Sequence, residues 1–235
     1  MRDIEKAMNA EAYYLEVGRS EGESLIELVK PFGYSNLDDY FKDKAEYKLK
    51  AQDYAVLYVD VDDIFAKVEA AITQEAPSIF VIKASRTIVW HGKDEELNRE
   101  LCKELGYEVI PLDYNGGNIV TGVGDFNFIF VCKKVDGIGT QWFMEKFAAY
   151  FSRFFGDVVC NENDILINGK KVMGSMQRET ETMYEFATQI SFVDRSEDIY
   201  KICPPTGAKK PSAIPSGFFT CDDLWNEVLS WLHLQ

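Results

Sequence analysis

Histidine is almost absent from this chain: only two occur, His91 and His233. Neither stands in a metal-ligand spacing such as H-E-x-x-H, and a Ser-His-Asp relay would have to use one of them. The five cysteines, Cys102, Cys132, Cys160, Cys203 and Cys221, are scattered and odd in number. None forms a C-x-x-C, so zinc and thioredoxin-like chemistry find no ligands. Basic charge is also short: 25 Lys plus Arg face 39 Asp plus Glu, a formal net charge of -14. A duplex nucleic-acid binder needs a basic face, and an anionic membrane surface would repel such a chain. No apolar run approaches the length of a membrane span, and the opening MRDIEKAMNAEAYY lacks a signal-peptide core. The expectation is a soluble, cytoplasmic protein with mostly buried free thiols, and with no nucleic-acid or membrane partner.

What is present is core material. Of the 235 residues 46% are hydrophobic, and 16 Phe, 12 Tyr and 4 Trp supply large side chains, which excludes disorder as the dominant state. Residues 1–53 are charged and poor in β-branched residues. They predict a helical extension with helices over 3–17, 24–29 and 37–50, the last started by Asn36 with Asp38 and Asp39 in its first turn. From residue 54 to 235 the pattern predicts one α+β domain, a mixed or antiparallel sheet flanked by helices. Strands are expected at 55–59, 79–82, 87–90, 107–111, 125–131, 158–160, 164–167, 170–173 and 186–193. The runs 79–82 and 87–90 read as a strand pair. Helices are expected at 63–74 with Asp62 as N-cap, at 94–105 closed by Gly106, and at 140–155, 194–199 and 221–234.

Two segments could carry chemistry. Asn115-Gly116-Gly117-Asn118 lies between strands, where paired glycines allow close backbone approach and leave N–H groups for an anion. A plain tight turn is the alternative. The second segment, NDILINGKKVMGSMQRET from Asn163 to Thr180, sets two lysines on a strand after an Asn168-Gly169 hairpin turn. Alternation sends Lys170 and Lys171 to opposite faces. An inward lysine is costly unless it meets an anion, and Gly174 and Ser175 leave room for a ligand beside it. Two surface lysines flanking a hairpin are the bland alternative.

This second segment resembles the lipoate–protein ligase branch of the biotin/lipoate ligase and acyltransferase superfamily, whose pattern is N-D-[ILV], then G-[KR]-K-[IV]-x-G-[ST]-A and often R-E-T. The present sequence departs chiefly at Met176. Upstream, helix, strand, glycine turn and the D-F-N-F-I-F strand come in the family's order. Downstream, Tyr184 to Val193 and Lys209-Lys210-Pro211-Ser212 resemble later family segments, so the likeness spans about 55–215. It implies the biotin/lipoate ligase catalytic-domain fold and ATP-dependent adenylation of a small acid such as lipoate or octanoate. Mg2+ would assist, and the acyl group would pass to a lysine of a lipoyl-type carrier domain. On this resemblance Lys171 is the catalytic cation bridging the substrate carboxylate and the α-phosphate, a role worth roughly 3 kcal/mol. Asn115, Gly116, Gly117 and Asn118 would line the substrate or nucleotide site. Asn163 and Asp164 would anchor nucleotide, with Asp164 toward the metal, and Gly174 and Ser175 would border the lysine. Phe126, Phe128 and the Ile79–Ile82 segment would form the acyl tunnel. Lys170, Lys209 and Lys210 could give a basic patch for the carrier.

The departures cluster on one wall. Leu112-Asp113 stands where the family has Arg-Arg, Asn118 where it has a third glycine, Gly122-Val123 for His-Asp and Phe186-Ala187-Thr188 for His-Gly-Thr. Losing arginines removes bidentate anion donors, and Asp113 would repel a phosphate. Two other readings therefore stand beside the ligase. One is an acyl-carrier transferase using Cys160, though no Lys, Arg or His neighbours that thiol in sequence to activate it. The other is a catalytically degenerate ligase-fold binding protein.

Overall fold

The computed structural model describes residues 2–17, 24–92, 96–112, 118–203 and 210–234. The chain forms two compact units, one of Met1–Gln52 with Val135–Ile138, the other of Asp53–Lys134 with Gly139–Gln235.

The first unit is helical. Helices α1 (Ile4–Val17), α2 (Leu25–Val29) and α3 (Leu37–Lys50) surround a small core of Ala7, Val29, Tyr34 and Tyr40. Asn36 caps α3 as the sequence suggests, its side chain accepting from Asp39 N–H at 2.8 Å. Glu11 ties α1 to α3 by accepting from the Tyr40 hydroxyl at 2.8 Å and pairing with Lys44.

The second unit is a mixed sheet flanked by helices. Its elements run β1 (Ala55–Asp60), α4 (Ile64–Thr73), β2 (Ser78–Lys83), β3 (Ile88–His91), α5 (Arg99–Glu104), β4 (Glu108–Pro111), β5 (Ile119–Thr121) and β6 (Phe126–Lys133). They continue as α6 (Thr140–Phe151), β7 (Val158–Asn161), β8 (Asp164–Ile167), β9 (Lys170–Glu179), β10 (Met183–Ile190), α7 (Ser196–Ile202), β11 (Lys210–Pro211) and α8 (Cys221–Trp231). The large sheet has the order β1-β2-β6-β10-β9-β8-β7. Beyond the reach of β10, β11 pairs with the start of β9. A small sheet of order β4-β3-β5 stands apart.

The expected pairing of 79–82 with 87–90 does not occur. β2 is an interior strand whose two edges are taken by β1 and β6, so β3 joins β4 and β5 instead. Asp62 is not the cap of α4: Asp63 occupies that position, and Asp62 pairs with Arg86 at 2.5 Å. Gly106 does end α5 in the left-handed region, with φ 72°. Strand β9 runs on to Glu179, past the expected end at Met173, because β10 pairs along its second half.

Alternation divides the large sheet into two faces. Phe128, Phe130 and Phe186 point at α6, with Phe143 stacked on Phe186 at 4.4 Å and Phe147 against Phe128 at 5.8 Å. Behind them Trp231 of α8 meets Phe147 edge-on at 4.8 Å. The opposite face buries Phe80, Ile129, Val131 and Ala187 with α4 and with Ile88 and Trp90 of the small sheet. Helix α8 opens with a full capping box between Thr220 and Asp223. Replacing Thr220 with alanine should cost about 1 kcal/mol, read as a lower denaturant midpoint at unchanged slope.

Candidate active site around Lys171

The Asn168-Gly169 turn has both residues at positive φ, 51° and 70°, as a type I′ hairpin requires. From it β8 and β9 pair as Ile167 with Lys170 and Leu166 with Lys171. The register then slips, so that Ile165 faces Met173 and Asp164 faces Gly174. Val172 is the extra residue of a β-bulge. A bulge re-aims side chains, and this one brings Lys171 to the face shared by Asp164 and Gly174, although 171 and 174 differ in parity. Simple alternation could not have predicted that.

Lys171 Nζ lies 2.9 Å from Asp164 Oδ1. Its side chain is 34% exposed and that of Asp164 11%. The lysine is therefore neither free in bulk water nor sealed in the core. Gly174 sits beneath it: a Cβ there would come within 3.1 Å of Lys171 Cε and 3.2 Å of Nζ. A side chain at 174 would therefore press on the end of the lysine and shift it by a few tenths of an ångström. Gly174 is itself held by Thr188, whose Oγ1 donates to its carbonyl at 2.9 Å. Ser175 turns to Asn163: its N–H and Oγ both donate to the Asn163 carbonyl, at 2.8 and 2.9 Å, and close the β7–β8 turn onto β9.

The pairing continues this face inward. Asp164 faces Gly174, Gly174 faces Gln189, Gln189 faces Asn127 and Asn127 faces Ile82. Asp164, Gln189 and Asn127 are 8%, 9% and 4% exposed, a buried polar row, and further along the same face buried Glu185 pairs with Arg178 at 2.8 Å. Gln189 donates to Ser191 Oγ at 2.8 Å, and Thr121 Oγ1 donates to Asn127 Oδ1 at 2.8 Å. Gln189, Asn127 and Thr121 were not singled out from the sequence. The available signal was polar residues inside apolar runs, Asn127 in F-N-F-I-F and Thr188 with Gln189 in F-A-T-Q-I.

Other expected site residues fall elsewhere. Asn115, Gly116, Gly117, Asp113 and Lys209 lie outside the described residues. The Asn118 side chain works as a clamp, accepting from Gly92 N–H at 3.2 Å, meeting His91 Nδ1 at 2.8 Å and donating to the Glu96 carbonyl at 3.0 Å. Phe126, Phe128 and Ile79 do not line the lysine side, because their parity turns them to the α6 face. Of the expected tunnel, Phe80 and Ile82 remain on the lysine face. Leu112, at the expected arginine position, packs into the apolar cluster with Ile119 and Met176. Lys170 and Lys210 are paired in register and both exposed. Among the described residues no group of three or more His, Cys, Asp or Glu could hold a metal ion.

An arginine does approach this end of β6, but it is spent internally. Arg195 Nη1 donates to Asp125 Oδ2 at 2.6 Å and Nη2 to the Val123 carbonyl at 2.9 Å. Asp125, with its side chain fully buried, also accepts from Gly122, Phe192 and Val193 N–H. Burial still pushes its carboxyl above the usual range against these donors.

Cys160 is a poor nucleophile. Its Sγ donates to the Met144 carbonyl at 3.6 Å, and burial, with Glu145 nearby, pushes the thiol above its ordinary value. Cys160→Ala should leave any acyl transfer within about twofold of wild type. A loss of transfer would restore the cysteine mechanism.

These elements make a mixed sheet flanked by helices, with a lysine on a bulged strand over a glycine. Residues 62–216 match the model of the lipoyl protein ligase A/B catalytic domain. The chain belongs to that family, in the lipoate–protein ligase branch of its superfamily. Among curated proteins none matches the sequence. Among solved structures, the fold is similar to a putative lipoate protein ligase from T. acidophilum with bound lipoic acid. That likeness has TM-score 0.61 and 16% identity over 77% of this chain and 87% of that one. It is similar also to a lipoate-protein ligase A bound with ATP, at TM-score 0.61 and 17% identity over 77% and 85% of the two chains. A third, at TM-score 0.60 and 17% identity over 77% and 84%, is an archaeal bi-partite lipoate protein ligase, described with its E2 lipoyl domain, also from T. acidophilum. Among the described residues no helix is long and apolar enough to cross a membrane.

Proposed function

We propose that this chain is an acyl-adenylate-forming ligase that uses ATP to activate a small carboxylic acid of the lipoate or octanoate type. The acyl group then passes to a lysine of a lipoyl-type carrier domain. The observation that carries the reading is the Lys171 ammonium, held by Asp164 over Gly174 at the rim of a buried polar row. The ammonium has three donors and is ion-paired with Asp164. It would meet an acid carboxylate and an α-phosphate oxygen, drawing two anions together and stabilising charge as the new bond forms. The carboxylate oxygen attacks the α-phosphorus and pyrophosphate leaves. The carrier amine then attacks the acyl carbon and AMP leaves. The neighbours described with lipoic acid, with ATP and with a lipoyl domain support the same set of participants.

Asp164 is a single carboxylate already facing an ammonium, so Mg2+ fits here only with nucleotide phosphates as its other ligands. Asn163 would stand beside it. Lys170 and Lys210, exposed side by side, offer local positive charge to an acidic carrier on a chain whose net charge is -14. A soluble cytoplasmic setting agrees with this reading.

The test is ATP–pyrophosphate exchange with a panel of short and medium acids, followed by transfer to an apo lipoyl domain. Exchange with at least one acid is expected. A second reading rests on Leu112, which puts a core side chain at a position the family gives to arginine. If no acid supports exchange and no nucleotide binds by calorimetry, the chain is a ligase-fold binding protein.

A further inference from the structure

Strand β9 changes neighbour at the candidate catalytic lysine. From Glu179 back to Met173 its partner is β10, and just beyond that ladder Ser191 N–H donates to the Val172 carbonyl at 2.9 Å. At Lys170 and Lys171 the place of β10 is taken by β11, parallel and in register, with Lys210 beside Lys170 and Pro211 beside Lys171. Ser212 N–H donates to the Lys171 carbonyl at 2.8 Å, so the missing proline N–H removes no bond at that carbonyl. The segment then crosses to the end of β10, where Ile214 N–H donates to the Ser191 carbonyl at 2.7 Å and the Ile214 side chain is buried. Residues 210–214 are thus a strap fastened to β9 at the lysine and to β10 behind it.

Residues paired across a ladder point to the same face. Leu166 flanks Lys171 from β8 and Pro211 flanks it from β11, each about one strand spacing, roughly 5 Å, to the side. A lysine stem is long and rotates freely, so its ammonium is held in one place when the sideways directions are closed. The direction left open runs along the strand, over Gly174 to Asp164 Oδ1 at 2.9 Å. A proline ring, locked in φ, is a stiff wall for an edge strand. We propose that Pro211 is a positioning residue for Lys171: with Leu166 it confines the stem and aims the ammonium along β9. The role rests on the ligase reading for what the aimed ammonium then does.

The test has two readouts. Acetylation by a water-soluble N-hydroxysuccinimide ester, followed by tandem mass spectrometry, compares Lys171 with its exposed neighbour Lys170. In the wild type Lys171 should react at least about 3-fold more slowly than Lys170, because its amine is held in an ion pair. Pro211→Gly should bring the two rates within about twofold, because the stem is then free to leave Asp164. In pyrophosphate exchange the same variant should lose about 10-fold in kcat, with KM for ATP and acid within about twofold, since a misplaced group harms the chemical step. Pro211→Val restores bulk on that face and should recover most of both readouts, which a general loosening would not. Should Pro211→Gly fail to fold, Pro211→Ala should show the same changes at smaller size. A wild-type Lys171 as reactive as Lys170, rates unmoved in a folded variant, a loss in KM alone, or a valine variant no better than glycine overturns the proposal. Labelling that responds as stated without exchange by any acid keeps the wall and removes the ligase. Wild-type exchange with both readouts unmoved by the variants does the reverse.

Discussion

Lys171→Ala is expected to lower pyrophosphate exchange at least about 100-fold, the usual cost of removing a single pre-placed electrostatic donor from a reacting site. The loss should fall mainly on kcat, because the ammonium acts most strongly where negative charge accumulates between the two substrates. Lys171→Arg should not restore the rate. A guanidinium is planar and broader than an ammonium, and the strand beneath is already so close that a Cβ on Gly174 would reach Lys171 Cε at 3.1 Å. The variant must also fold, since Asp164 loses its partner. A denaturant midpoint near wild type separates a chemical loss from a structural one. Unaltered exchange in a folded Lys171→Ala protein would remove the lysine from the mechanism.

Arg195→Ala should be the most damaging change away from that site, costing about 3–5 kcal/mol of stability. The guanidinium side chain is 11% exposed and the Asp125 carboxylate 0%, so removing the arginine strands a buried anion. The three backbone N–H groups that also reach Asp125 cannot replace the lost charge. The measurement is urea unfolding of the single variants and of Arg195→Ala with Asp125→Asn. The double variant should lose less than the two singles added together. Additive losses would mean that the pair does not interact. The pair anchors the turn before β6 to the chain after β10, so these variants should also disturb the position of Asn127, two residues further on.

Much of the fold was legible because its signals are local. Asn168-Gly169 can hardly be other than a tight hairpin turn, and the aromatic alternation of β6 marks a strand between two packed faces. Asn36 announced α3 through a side-chain bond that the structure contains. What stayed hidden depends on partners distant in sequence. The runs at β2 and β3 look like neighbours, yet β2 is claimed by β1 and β6. Asp62 looked like a cap and serves Arg86 instead. At the candidate site, Lys171, Asp164 and Gly174 could be named from the resemblance of the NDILINGKKVMGS segment to the family's pattern. The polar row could not, because Gln189 and Asn127 meet Gly174 only through the order of β9, β10 and β6. The phenylalanines expected beside the acid failed on parity: residues on either side of Asn127 must point the other way.

The extra residue in β9 has a consequence for how this sheet can change over time. Val172 sits where the pairing slips from Lys171–Leu166 to Met173–Ile165. Excising that single valine would let the ladder close evenly and leave Lys171, opposite Leu166, on the Asp164 face two positions from Gly174. A one-residue change is therefore absorbed at the bulge, whereas elsewhere between the hairpin tip and Gly174 it shifts the pairing by one and turns side chains to the other face.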